Sequence, residues 1–129
     1  MLLLTLRGTP TLYYGDELGI GRVPIPPGSV RDPWELAEPG LGLGRDPHRT
    51  PMAWTGDAKG GFTTGEPWLP LHEDAVTRNV ATQQADRGSM LTLTRSLLAL
   101  RRARPALSVG SYRPVAADGS VLAYERRHG

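Results

Sequence analysis

The hydrophobic pattern divides the chain into three zones. The first opens with MLLLTLR, Met1 to Arg7, a dense Leu run closed by Gly8. A glycine there suits the left-handed residue that follows a helix, so the pattern predicts the last two turns of a helix. TPTLYY, Thr9 to Tyr14, is β-branched and aromatic and is bounded by Gly8 and Gly15, which predicts a short strand with Pro10 tolerated near its start. A helix passing into a strand after almost no loop is the αβ half of an α/β repeat. The strand then delivers Gly15-Asp16-Glu17-Leu18-Gly19 at its C-terminal end, the functional side of parallel α/β folds.

From Ile20 to about Asp86 no period of either kind persists, and Pro24, Pro26, Pro27, Pro33, Pro39, Pro47, Pro51, Pro67 and Pro70 interrupt the zone. So long an irregular stretch is disordered or functional. Trp34, Trp54, Phe62 and Trp68 lie within it, and aromatics are scarce in disordered chain, so an ordered insertion pinned by its tryptophans is expected. Helical periodicity returns in the third zone. Ser89 or Asp86 caps a helix whose inner face carries Met90, Leu93, Leu97 and Leu100, widened by Leu91, Thr94 and Leu98, and Arg101, Arg102 and Arg104 mark its last turn before Pro105. Ser111–Val115 and Val121–Arg126 then read as two strands of a hairpin turning at Asp118-Gly119.

Composition changes this picture in two ways. Sixteen Gly and twelve Pro in 129 residues exclude a helical bundle, and no stretch reaches the roughly 20 apolar residues of a membrane-spanning helix. The absence of cysteine removes disulfides, thiolate metal sites and a Cys nucleophile, while the three His are too scattered to make a local metal site. The formal charge is only +2, and Lys59 is the sole lysine among 15 basic residues. The basic cluster at Arg101, Arg102 and Arg104 is explained by the C-terminal end of a helix dipole, so neither nucleic acid nor a membrane is expected as a partner. A signal peptide is disfavoured because the leading run has no basic region before it, which leaves the cytoplasm as the favoured location.

Asp16 and Glu17 are the first candidates for chemistry, since paired carboxylates serve as acid and nucleophile in glycoside hydrolysis. Neighbours in an extended chain point to opposite sides, so a structural role in tying the long loop is preferred for both. No serine has a nucleophile-elbow setting. Gly40-Leu-Gly-Leu-Gly44 lacks the Lys of a phosphate loop and the strand and helix that would frame a dinucleotide fingerprint.

Four segments in order carry a resemblance: GTPTLYYGDELG (Gly8 to Gly19), GRDPHRTPMAW (Gly44 to Trp54), GGFTTGEPWLPL (Gly60 to Leu71) and SMLTLTRSLLALRRARPAL (Ser89 to Leu107). Together they resemble the C-terminal part of the α-amylase family, glycoside hydrolase family 13, and within it the α-glucosidase and oligo-1,6-glucosidase group. The resemblance implies an α/β fold, the C-terminal portion of a (β/α)8 TIM barrel followed by the start of a β-sandwich domain. Residues 1–108 would be the end of the barrel, with its eighth strand, long loop and eighth helix, and residues 109–129 the truncated start of the β-domain. An isolated piece of this kind leaves apolar faces uncovered and is expected to be poorly stable.

The same resemblance implies a retaining enzyme acting on short α-glucosides, with no cofactor. The family's Asp nucleophile, Glu acid/base and Asp stabiliser follow earlier barrel strands, so this chain would hold none of them and would supply part of the sugar pocket. Arg45 is similar to the arginine that contacts the terminal glucose, and a guanidinium fork suits vicinal hydroxyls; a structural ion pair, for instance with Asp46, is the other role open to it. Tyr14 lines the barrel mouth or packs inward, and Trp54, Phe62 and Trp68 stack on sugar or, the commoner job for such residues, anchor the loop. Asp46 and Arg49 are assigned to the structure of the loop. Ala53 and Thr55 stand where the family usually has Gln and Asp, which would remove polar groups near the pocket rim. A trehalose-synthase-like transglycosylating or isomerising relative is the rival reading, and a non-catalytic or carbohydrate-binding piece is the other. Glu66-Pro-Trp-Leu-Pro-Leu leans toward the glucosidase.

Overall fold

In the computed structural model, which describes residues 1–129, the chain runs through helices α1 (Leu2–Thr5), α2 (Pro33–Ala37), α3 (Val80–Ala85), α4 (Met90–Ala103) and α5 (Pro105–Ser108). It ends in strands β1 (Ser111–Asp118) and β2 (Val121–Arg127). Single 3-10 turns lie at Asp16–Leu18, Pro27–Ser29 and Asp46–His48. Two packed units result, one from Met1–Leu12 with Leu93–Gly129 and the other from Tyr13–Thr92, with the boundary inside α4.

In the first unit α1 is one turn long. Its end is set by Leu6, which is already extended at φ −83° and ψ 161°, so Gly8 is not the residue that stops it. The Gly8 φ of 105° serves the next bend, where its N–H donates to the Ser108 carbonyl at 3.3 Å. The expected strand Thr9–Tyr14 is absent, because β1 and β2 pair only with each other and leave no ladder for a third strand. The last carbonyls of a short helix have no partner within it, and here arginines provide one. Arg101 Nη1 donates to the carbonyls of Leu4 at 3.0 Å, Leu6 at 2.8 Å and Leu107 at 2.8 Å, and Nη2 donates to that of Gly8. Arg126 does the same for Thr5 at 3.0 Å and Gly110 at 2.7 Å.

The hairpin is longer than its sequence suggests. β1 continues through Asp118, which pairs with Val121, so the loop is the two residues Gly119-Ser120 rather than the five from Ala116 to Ser120. Gly119 supplies the positive φ, 53°, that such a tight turn needs at its first position. An extra residue, Val115, bulges between the Pro114–Tyr124 and Ala116–Ala123 pairs, where the proline has no N–H to give the ladder.

The second unit is built around Leu18, Leu69, Ala53 and Asn79, all essentially inaccessible, with Val23, Ala75 and Leu91 beside them. α4 begins where expected, with the Ser89 hydroxyl accepting from Thr92 N–H at 3.2 Å, and it ends at Ala103, just before the Arg104 that was expected to close it; its buried positions are Leu91, Thr94 and Arg101, whereas Met90 and Leu100 of the expected inner face are exposed. Pro105 then takes the first position of α5, so it both stops one helix and starts another. α3 and α2 were not foreseen in the irregular zone. Each has a side-chain cap: Asn79 Oδ1 accepts from Thr82 N–H at 2.9 Å, and Asp32 Oδ1 from Trp34 N–H at 3.0 Å. The tryptophans do not pin this zone: Trp34, Trp54, Phe62 and Trp68 are 59%, 50%, 49% and 68% exposed.

Buried polar groups hold it instead. Gln83 Nε2 donates to the Leu18 carbonyl at 2.8 Å while its Oε1 accepts from Leu91 N–H at 3.0 Å. Asn79 Nδ2 donates to the Ala75 and Val76 carbonyls, both at 3.0 Å. Beside them a half-exposed pair helps: Asp74 accepts from Arg78 and sits 2.7 Å from the buried His72 Nδ1, and Arg78 Nη1 reaches the Gly19 carbonyl at 3.0 Å. No helix is long and apolar enough to cross a membrane.

Candidate functional site

Asp16 and Glu17 leave the strand-end position as the two acids of one tight turn. Asp16 Oδ2 accepts from Tyr13 N–H and Glu17 Oε2 from Gly15 N–H, both at 2.9 Å, so each carboxylate closes the bend that contains it. Gly15 and Gly19, at φ 89° and 68°, make the bend possible.

The Gly40–Gly44 loop is closed by a carboxylate of the chain itself. Glu35 Oε1 accepts from Gly40 N–H at 2.9 Å and Oε2 from Gly44 N–H at 3.1 Å. Amides that could have faced a phosphate are thus already committed. A side chain at Gly44 would lie 2.8 Å from Glu35 Cβ, which fixes glycine at the start of the Gly-Arg-Asp motif.

Next in the chain, Arg45 meets a carboxylate that sequence reading missed. Its Nε donates to Asp32 Oδ2 at 2.6 Å and its Nη2 to Oδ1 at 3.2 Å, the side-on bidentate geometry in which a guanidinium binds best. Asp32, not Asp46, is therefore the ion-pair partner. Asp46 is buried and does other work, its Oδ2 accepting from the backbone N–H of Arg31 at 2.6 Å and of Asp32 at 2.8 Å. One acid thus positions the backbone of the second, and the second positions the arginine.

The Asp32 side chain is fully buried while that of Arg45 is half exposed. The hydrogen bond from Arg45 is the main reason that the Asp32 carboxyl is held far below the usual carboxylate range, against the opposing effect of burial. The same bond raises Arg45 further above its already high value. Arg49 Nη1 stands 3.9 Å from Asp32 Oδ2, a second and looser cation on the same anion.

Tyr14 lies in the same unit, with its hydroxyl donating to the Thr50 carbonyl at 2.6 Å and its ring centroid 5.2 Å from that of Tyr13. Burial raises its phenol pKa, and the bond to Thr50 partly offsets this. Tyr13, Tyr14, Asp16, His48 and Thr50 line a small cleft of about 40 Å³. This brings Tyr14 to the segment that carries Arg45. Trp54 and Phe62 have no bond or ring contact to either, since they sit on the turn that Asp57 closes by accepting from Lys59 N–H at 2.9 Å and Gly61 N–H at 3.0 Å. Ala53 is fully buried, so in this chain it is a packing position and no rim; Thr55 donates its hydroxyl to Asp57.

The arrangement offers a fixed, half-exposed cation with donors suited to hydroxyl-rich ligands, and a separate small cleft lined by Tyr13 and Tyr14. No set of three or more His, Asp or Glu side chains is placed to hold a metal. Asp32 was detectable in the sequence only as a helix cap, an Asp followed by Pro and then by Trp34-Glu35, and that signal does not say which arginine it will meet.

Comparison with known proteins places these residues in context. The family described as "Alpha amylase, catalytic domain" matches residues 1–110. A probable α-glucosidase of Rhizobium meliloti is 39% identical over 128 residues, which is 99% of this chain and 23% of the relative. Trehalose synthase/amylase TreS of Mycobacterium tuberculosis is 40% identical over 135 residues, 98% of this chain and 20% of the relative. Among solved structures, the α-glucosyl transfer enzyme XgtA superposes with a TM-score of 0.92 at 39% identity, covering 99% of this chain and 24% of that one. The chain thus spans about a quarter or less of the length of these relatives.

Proposed function

This chain belongs to the α-amylase family, and on that basis we propose that it supplies part of the sugar pocket of a retaining α-glucosidase-like hydrolase acting on short α-glucosides. In this reading residues 1–108 are the end of a catalytic barrel and residues 109–129 the start of a β-domain. Arg45 contacts the terminal glucose, and Tyr14 borders the same pocket. The 129 residues carry no counterpart of the family's three catalytic carboxylates, so the chain by itself binds and positions but does not cleave.

The observation that carries the proposal is the Arg45 guanidinium, half exposed and held by a fully buried carboxylate in the Gly-Arg-Asp motif. A fixed cation with free N–H groups orients hydroxyls without itself reacting. The solved relatives include trehalulose synthase structures with sucrose, glucose and isomaltulose, all small sugars. Purified chain is expected to give no turnover of a chromogenic α-glucoside while showing sugar-dependent shifts at Arg45 by NMR. Measurable hydrolysis would refute the non-catalytic part, and sugar-dependent backbone shifts around residues 44–50 that remain at the same sugar concentration in Arg45→Ala would refute the role of the arginine.

A transglycosylating reading is supported by the 40% identity to a trehalose synthase and by the likeness to a glucosyl transfer enzyme. Product analysis separates the two. A protein that joins this segment to the family's catalytic carboxylates and is given maltose yields glucose alone if it hydrolyses, and new di- or trisaccharides if it transfers the glucosyl group to released glucose or to a second maltose.

A further inference from the structure

The geometry points to Asp32 as a positioning residue that commits one edge of the Arg45 guanidinium and leaves a defined pair of N–H groups for sugar. This rests on the reading of Arg45 as a sugar contact and says which face of it makes the contact. A guanidinium has five N–H groups, in a side-on fork (Nε with Nη2) and an end-on fork (Nη1 with Nη2). Asp32 takes the side-on fork through Oδ2 at 2.6 Å and Oδ1 at 3.2 Å. It also accepts from Arg45 N–H at 3.2 Å, so backbone and side chain of the arginine are held by one carboxylate.

Asp32 cannot readily yield. It is fully buried, its Oδ1 is also committed to Trp34 N–H at 3.0 Å, and its own backbone N–H is fixed by Asp46 at 2.8 Å. Nη1 has no partner within the chain and belongs to the exposed half of the pair. A sugar therefore meets Nη1 and the outer hydrogen of Nη2, two parallel donors that match neighbouring ring hydroxyls. Were the side-on fork the sugar-binding edge, the incoming hydroxyls would have to displace a buried carboxylate and leave its charge unpaired. Lysine in place of Arg45 has its three donors on one nitrogen and cannot offer a planar two-point fork to each partner.

The test uses the full chain labelled with ¹⁵N-arginine and titrated with maltose. The Arg45 Nε–H resonance is identified by its loss in Arg45→Lys. In the unaltered chain this resonance is expected to exchange slowly and to stay in place as maltose shifts the Nη resonances. Asp32→Asn is expected to speed Nε–H exchange and to weaken maltose binding roughly tenfold, the scale of one charge-assisted hydrogen bond. Asp46→Asn, which leaves both members of the pair intact, produces a smaller change of the same sign. Maltose that shifts Nε–H as strongly as Nη overturns the proposal even if Asp32→Asn does not fold, and so does unchanged affinity in a folded Asp32→Asn chain. In either case Arg45 remains a sugar contact. No response of any Arg45 nitrogen to maltose overturns that contact and the positioning role with it, leaving a protected Nε–H as the mark of a structural pair.

Discussion

The Arg101 guanidinium and the Leu4 carbonyl are joined at 3.0 Å across 97 positions of sequence, and the cation has no carboxylate partner. It is buried, and its charge is balanced by backbone carbonyls at the ends of α1 and α5, where the helix dipole is negative. Arg101→Lys is expected to destabilise this unit by about 2 kcal/mol, since an ammonium cannot span all of these carbonyls at once. Hydrogen exchange of the Leu6 and Gly8 amides, faster in the variant, checks it.

Acid acts on the second unit through Asp32. Its folded-state pKa lies well below the unfolded value of about 3.9, so its stabilising effect is complete above that value and is lost as pH falls toward the folded-state pKa. Asp74, lowered chiefly by Arg78 and then by His72, acts in the same direction. Amide shifts of residues 31–46 are expected to hold at pH 4 and above and to change progressively as the pH is taken further down toward the folded-state pKa of Asp32. In Asp32→Asn that acid transition moves or disappears.

Gln83 offers a cleaner measure of buried polarity. Gln83→Leu keeps the approximate volume but leaves the Leu18 carbonyl and the Leu91 N–H without partners, at a cost of about 1–3 kcal/mol for each group left unsatisfied. A lower denaturation midpoint with unchanged slope is the expected result.

Exposure makes the opposite prediction for the tryptophans. Trp34→Ala and Trp68→Ala are each expected to change stability by less than about 0.5 kcal/mol, whereas Leu69→Ala, at a sealed position, costs about 2–5 kcal/mol. Chemical denaturation of the three variants side by side decides it.

Gly110 carries a steric prediction. A Cβ there would clash with the carbonyl oxygens of Ala106 and Arg127, so Gly110→Ala must push β2 and α5 apart. Loss of the Arg126 Nη2 bond to the Gly110 carbonyl, followed through the Arg126 side-chain resonances, is the signature.

What the sequence determined by itself was local or motif-borne. Ser89 before a Leu stripe and Pro105 behind an arginine cluster set α4 to within a residue at each end, because capping and proline sterics act within one turn. Asp118-Gly119 placed the hairpin for the same reason. Four ordered motifs gave the family. Only tertiary structure decided the rest. Thr9–Tyr14 has strand composition but no strand, since a ladder needs a neighbour that its own residues cannot provide. The tryptophans looked like anchors and stand in solvent, because burial depends on what faces a side chain and not on its size. Arg45 was legible as a motif, but its partner was not: Asp32 lies thirteen residues away across a Pro- and Gly-broken segment with no period to relate them. Only the folded path of that loop could bring the buried anion to the cation.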